Sequence, residues 1–137
     1  MNENGVLDRF PIQANIPVTD LDKARTFYSD VLGLELVEDV SGEGLHYRCG
    51  GGTWLEVFRT RAGVGSGHTE AGFQVTGIEG VVADLRSRGV VFQEHDLGDG
   101  LARADGILTW GEEKAAWFTD PEGNVIGIFQ SASTERR

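Results

Sequence analysis

The 137-residue chain has a single cysteine, Cys49. That excludes an intrachain disulfide framework and a cysteine-rich zinc site. Proline is nearly as scarce, at three residues, which does not fit a flexible low-complexity chain. No apolar run approaches the roughly 18 residues that a bilayer-spanning helix needs. The opening MNENGVLDRF has neither the basic start nor the apolar stretch of a signal peptide. Positive charge is short as well: 12 Lys and Arg stand against 22 Asp and Glu, a net −10. Phosphate backbones are held by clustered positive charge, so nucleic acid is not an expected partner. The chain also lacks a Gly-x-x-x-x-Gly-Lys loop, a His-Glu-x-x-His helix and a serine flanked as in a nucleophile elbow. What remains is the expectation of a soluble, cytoplasmic domain without membrane or nucleic-acid partners, acting on a small molecule or a protein.

Glycine is abundant by contrast, at 20 residues, about twice the usual ~7%. Many tight turns and short strands follow from that. Residues 1–9 read as a loose arm and 131–137 as a polar tail. Between them, Pro11–Val18 is β-prone, and Thr19 and Asp20 open a helix with Asp22 as a weak capping-box partner of Thr19. Leu21, Ala24, Tyr28, Val31 and Leu32 share one helical face, with Phe27 at its margin, and Gly33 marks a left-handed C-cap. Leu34–Asp39, Leu45–Cys49 and Thr53–Arg59 read as strands. The glycine-rich run Gly63–Gly67 is a linker by position, and after it the same order returns. Thr69–Thr76 is a strand, and Ile78, Val81, Val82 and Leu85 mark a helix that Gly89 stops. Val90–Glu94, Lys114–Thr119 and Asn124–Phe129 are three more strands, with Asp120-Pro121-Glu122-Gly123 as a turn. Asp96–Gly111 is expected to be a long loop with a short strand.

The two halves repeat. Ala14–Asp22 aligns without gaps on Ala71–Glu79, and Gly52–Phe58 on Gly123–Phe129. The second spacing is the longer one, which places an insertion near 96–111. The expected fold is α+β: two tandem βαβββ modules, 10–60 and 69–130, joined by the linker 61–68 into one domain. Each module has a sheet face to cover, and two side by side can curve into a trough, a single bent mixed sheet.

Two motifs carry a family resemblance over residues 11–130. Val18-Thr19-Asp20-Leu21-Asp22-Lys23-Ala24, followed by Phe27-Tyr28 and Val31-Leu32-Gly33-Leu34, resembles the first-module signature of the vicinal oxygen chelate superfamily. Trp117-Phe118-Thr119-Asp120-Pro121-Glu122-Gly123-Asn124 resembles its final hairpin. This glyoxalase, bleomycin-resistance and extradiol-dioxygenase group includes metal enzymes and metal-free drug-sequestering proteins, so the site must decide function.

In the metal-using members each module gives one ligand from its first strand and one from its last. The resemblance carries these onto Gln13, Glu70, Glu56 and Gly127. Gly127 has no side chain to offer, and Glu70 replaces the usual histidine. A Gln/Glu/Glu set is all oxygen and suits Mg²⁺, Mn²⁺ or Ca²⁺ better than zinc or copper. A two-residue slip would put His68 in place of Glu70; otherwise His68, His46 and His95 read as solvated residues. Glu56 and Glu70 are the candidate general bases or cation anchors, the alternatives being an ion pair of Glu56 with Arg48 or Arg59 and a solvated Glu70 at the trough's mouth. Strand parity groups Gln13 with Asn15, Trp54 with Glu56 and Phe58, and Val125 with Gly127 and Phe129. Trp117 lines the trough by resemblance, Trp110 either folds over the mouth or belongs to the core or an interface, and Cys49 is a small core residue. The expected function is binding of a small aromatic or amphiphilic molecule without a catalytic metal. The alternative is a lyase, isomerase or dioxygenase acting on vicinal-oxygen substrates with a divalent metal such as Mg, Mn, Ni, Fe or Zn. The resemblance also implies a homodimer.

Overall fold

The computed structural model describes residues 5–40, 42–61, 63–93 and 102–131. The first half runs β1 (Ala14–Val18), α1 (Leu21–Arg25), β2 (Glu35–Val40), β3 (Gly44–Arg48) and β4 (Trp54–Arg59). The second half runs β5 (Thr69–Gln74), α2 (Ile78–Ser87), β6 (Ala102–Ala104), β7 (Ile107–Trp110), β8 (Glu113–Thr119) and β9 (Val125–Gln130). The first sheet has the order β1-β4-β3-β2 and the second β5-β9-β8-β7-β6. In both, the first and last strands pair in parallel and the other neighbours are antiparallel. The fold is α+β with two modules, and the repeat is written into the hydrogen bonding. Asn15 pairs Glu56 in one sheet, and Gly72 pairs Gly127 in the other. These are the residues that the sequence repeat superposes.

Edge strand β1 lies against edge strand β5. On the inner side of both sheets, Ile16, Val18, Leu55, Val57, Phe118, Ile126 and Ile128 join Tyr28, Ile78 and Val82 of the helical segments in one buried core. Alternation along each strand therefore turns Asn15, Trp54, Glu56 and Phe58, and likewise Gly127 and Phe129, to the opposite face. Helix α1 continues through a π-helical stretch, Thr26–Val31. The wider turn brings two successive aromatics inward: Phe27 meets Tyr28 edge-on at 5.2 Å and reaches Phe118 of the other module at 6.2 Å.

The Asp120–Asn124 turn fastens the modules together. Asp120 accepts the buried Tyr28 hydroxyl at 2.8 Å and the backbone N–H groups of Glu122 and Asn124. The Asn124 carboxamide donates to the Pro17 carbonyl. Glu122 accepts from the Thr19 and Asp20 backbone N–H groups and the Thr19 hydroxyl, all at 2.8–2.9 Å, at the entrance to α1. Burial opposes its charge, but these donors win and hold the Glu122 carboxyl below the usual range.

Two local readings need correction. Asp20, not Thr19, caps α1, accepting the Lys23 N–H, because Glu122 has taken Thr19. Val90–Glu94 is not a strand in its described part, where Phe92 makes one isolated bridge to Phe118. Its place is taken by β6 and β7, a hairpin inside the stretch expected to be mainly loop. Residues 94–101, the Trp110 side chain and the tail 132–137 lie outside what is described. Among the described residues no helix is long and apolar enough to cross a membrane.

Candidate functional site

A polar row crosses the outer face of the first sheet. Glu38 on β2 stands opposite His46 on β3, His46 opposite Glu56 on β4, and Glu56 opposite Asn15 on β1. Strand geometry dictates the row: Leu45 and Tyr47 are buried, so His46 between them must point outward, as Glu56 does between Leu55 and Val57. His46 Nε2 lies 3.1 Å from Glu56 Oε1, and His46 Nδ1 lies 4.0 Å from Glu38. Gln13 enters from the lead-in to β1, its amide donating to Asn15 Oδ1 at 2.9 Å and to Glu56 Oε1 at 3.0 Å. One register step away, Arg48 sits 5.5 Å from the centre of the Trp54 ring and 4.0 Å from Glu35. The alternative of an ion pair between Glu56 and Arg48 or Arg59 is not what is seen: an imidazole lies beside Glu56 instead.

The second sheet offers a different surface. Trp117 on β8 faces Gly127 on β9, and Phe129 meets Trp117 edge-to-face at 6.0 Å. The Phe129 ring lies over two glycines. A Cβ on Gly127 would stand 2.5 Å from Phe129 Cζ, and one on Gly72 would stand 2.5 Å from Phe129 Cε2. Both glycines leave room for an aromatic plate resting directly on the backbone. An open cavity of about 770 Å³, within the ordinary range for small ligands, spans the modules. Gln13, Cys49 and Trp54 line it from one side, and Gly72, Phe73 and Gln74 from the other. A shallower hollow of about 460 Å³ opens beside Trp117, Thr69 and Val125.

Of the four positions marked for metal, the structure brings together Gln13 and Glu56 alone. Their contact uses the Gln13 amide as donor, and it leaves Glu56 Oε1 shared with His46. Glu70 falls at a bulge in β5, where the register against β9 shifts between Thr69 and Ala71. It accepts the Ser66 hydroxyl at 2.8 Å. After burial and Asp120, the Glu70 charge is also among the causes that push the Tyr28 hydroxyl up. Gly127 offers nothing, and Phe129 occupies the space in front of it. His68 is exposed. Among the described residues no three His, Cys, Asp or Glu side chains are placed to hold a metal. The residues present do not fit the divalent metal of the family's enzymes.

The remaining candidates fall on one face. Trp54 is at the rim, 36% exposed, and Phe58 is half-buried farther along β4. Cys49 is half-buried, packed against the core and also lining the cavity, and burial pushes its thiol up, away from nucleophilic use. His46, Glu38 and Gly72 were missed in the sequence. Alternation around Leu45 and Tyr47 could have signalled His46, but its pairing with Glu56 depends on the length of the Cys49–Thr53 turn.

A family model described as Glyoxalase/Bleomycin resistance protein/Dioxygenase superfamily matches residues 11–128. Among solved structures, the antibiotic-binding protein TnmS3 from Streptomyces sp. CB03234 is 25% identical, with a TM-score of 0.69 over 93% of this chain and 100% of that one. A glyoxalase/bleomycin resistance protein from the same organism is 28% identical, with a TM-score of 0.60 over 83% and 94%. Lactoylglutathione lyase from Agrobacterium tumefaciens, 20% identical with a TM-score of 0.62 over 89% and 93%, shares the fold. No curated protein matches the chain.

Proposed function

Because the chain belongs to the glyoxalase/bleomycin resistance protein/dioxygenase superfamily, we propose that it is a metal-free member that holds a small aromatic or amphiphilic molecule in its trough. The observation that carries this is the Phe129 ring lying over Gly72 and Gly127, next to Trp117. Where a metal enzyme of this family would place its fourth ligand, this chain presents an apolar ring. Such a floor is suited to stacking, which adds roughly 0.5–1.5 kcal/mol beyond area burial. The likeness to an antibiotic-binding protein at 25% identity supports the same reading. Within it, Glu56 is the acid of the site and Glu70 a structural residue of the β5 bulge. Cytoplasmic action as a homodimer completes the proposal. In its support, Val6, Leu7, Phe10 and Ile12 are all more than 60% exposed and offer apolar surface to a second copy.

The test has two arms. Protein purified without added metal or chelator is expected to contain no stoichiometric zinc, nickel, iron or manganese. A near one-to-one content that Glu56→Ala abolishes would overturn the reading. In a screen of aromatic compounds, hits are expected to quench or shift tryptophan fluorescence, and Trp117→Ala is expected to weaken them about tenfold.

A further inference from the structure

The polar row of the first module is unlike the apolar floor of the second, yet Gln13, which donates to Glu56, and Gly72, beneath the Phe129 ring, line the same cavity. Within that row Glu56 is half-buried and its Oε1 is fully used by Gln13 and His46. Its other oxygen, Oε2, lies over Gly44, where a Cβ would stand 3.5 Å away, and has no partner among the described residues. Arg48, two residues from His46 on β3, is turned to Trp54 and Glu35 instead. A carboxylate oriented by the Gln13 amide and flanked by an imidazole, with one oxygen unused and no Lys or Arg paired to it, is open to a cationic donor.

We infer that the ligand supplies it: the trough selects molecules in which a protonated nitrogen is attached close to an aromatic ring. The ring rests against Phe129 where it covers Gly72, and the ammonium donates to Glu56 Oε2. His46 and Gln13 hold the carboxylate in orientation, and Glu38, beyond His46, extends the negative field along the wall. This rests on the reading of the trough as a metal-free small-molecule site and adds the charge of the molecule that it takes.

Three compounds of nearly one shape test it by calorimetry at pH 7: 2-naphthylmethylamine, 2-naphthylmethanol and 2-naphthoate. The ammonium compound is expected to bind about tenfold or more tightly than the alcohol, and the carboxylate most weakly, because charge-assisted hydrogen bonds are the stronger ones. Glu56→Gln keeps the shape and removes the charge, so it is expected to bring the amine down to the affinity of the alcohol while leaving the alcohol within about twofold. Glu38→Gln is expected to act in the same direction and less, being farther from the nitrogen. Equal affinity of amine and alcohol for the unmodified protein would overturn this inference and leave the aromatic trough standing. A preference for the amine that survives Glu56→Gln would overturn it too. Failure of all three compounds to bind would overturn the underlying reading.

Discussion

The Phe129 plate makes Gly127→Ala the most informative substitution in the molecule. Gly127 does not adopt a positive φ, so an alanine is conformationally allowed there. In an otherwise open strand, Ala would stabilise relative to Gly by about 0.5–1 kcal/mol. Here the new methyl would stand 2.5 Å from Phe129 Cζ, 2.7 Å from Cε2 and 3.2 Å from Trp117 Cδ1. Comfortable carbon contacts fall near 3.5–4.0 Å, so the ring must lift by about an ångström or rotate off the sheet. Overpacking of this kind costs about 1–3 kcal/mol. Phe129→Ala alone costs less than the 3–5 kcal/mol typical of a fully buried phenylalanine, since its ring is only partly covered. In that background Gly127→Ala meets no ring, and its effect becomes neutral or stabilising. The double-mutant cycle is therefore expected to close with a coupling of about 2–3 kcal/mol. Urea unfolding of the four proteins at one fixed concentration measures it, with the slope m checked for constancy. An equal cost of Gly127→Ala in both backgrounds would refute the picture of a ring seated on that glycine.

Glu122→Gln is expected to lose about 1–3 kcal/mol at pH 7, since a charged acceptor of three donors at a helix entrance becomes neutral. Because the folded Glu122 carboxyl titrates below its ordinary 4.5, its contribution is present above that value and is lost as pH falls through the folded pKa; melting curves of the two proteins should converge in acid. Trp54→Ala is expected to weaken aromatic ligands less than Trp117→Ala, by direct titration, because Trp54 is at the rim and already covered by Arg48. Light scattering across micromolar concentrations is expected to give twice 14.9 kDa, and Phe10→Asp is expected to lower that mass; a mass of 14.9 kDa throughout would contradict the dimer.

The modules were legible because a repeat is a statement about register as well as composition. Aligning Ala14–Asp22 on Ala71–Glu79 and Gly52–Phe58 on Gly123–Phe129 already superposed Asn15 on Gly72 and Glu56 on Gly127, the pairs that hydrogen-bond in the two sheets. Alternation then placed Trp54, Glu56, Phe58 and Phe129 on the outer face. What alternation could not carry was any feature in which the chain departs from strict period two. The bulge at Glu70 is one such place, and there a carboxylate read either as a base or cation anchor or as a solvated residue at the trough's mouth accepts the Ser66 hydroxyl. The Thr19 cap failed for another reason: its competitor, Glu122, is 103 residues away in sequence. His46 was passed over because a histidine in isolation reads as solvated. Only the cross-strand register of β3 and β4 turns it into a partner of Glu56.

The turn that was easiest to read, Asp120-Pro121-Glu122-Gly123-Asn124, does more than reverse the chain. Its two flanking strands, β8 and β9, carry Trp117 and Phe129, the aromatic floor. Its own side chains hold the other module: Asp120 on Tyr28, Glu122 on Thr19 and Asp20, Asn124 on Pro17. Pro17 and Thr19 sit at the end of β1, the strand that carries Asn15 and is entered from Gln13. Beyond the shared core and the β1–β5 contact, this turn constrains the distance between polar wall and aromatic floor, through charge-assisted and buried hydrogen bonds that tolerate little displacement. An apolar interface alone would leave two modules free to slide, because hydrophobic contact is non-directional. A site that reads a ring and a charge together needs their separation fixed. The buried Asp120 and Asn124, both fully partnered, supply that constraint from outside the site itself.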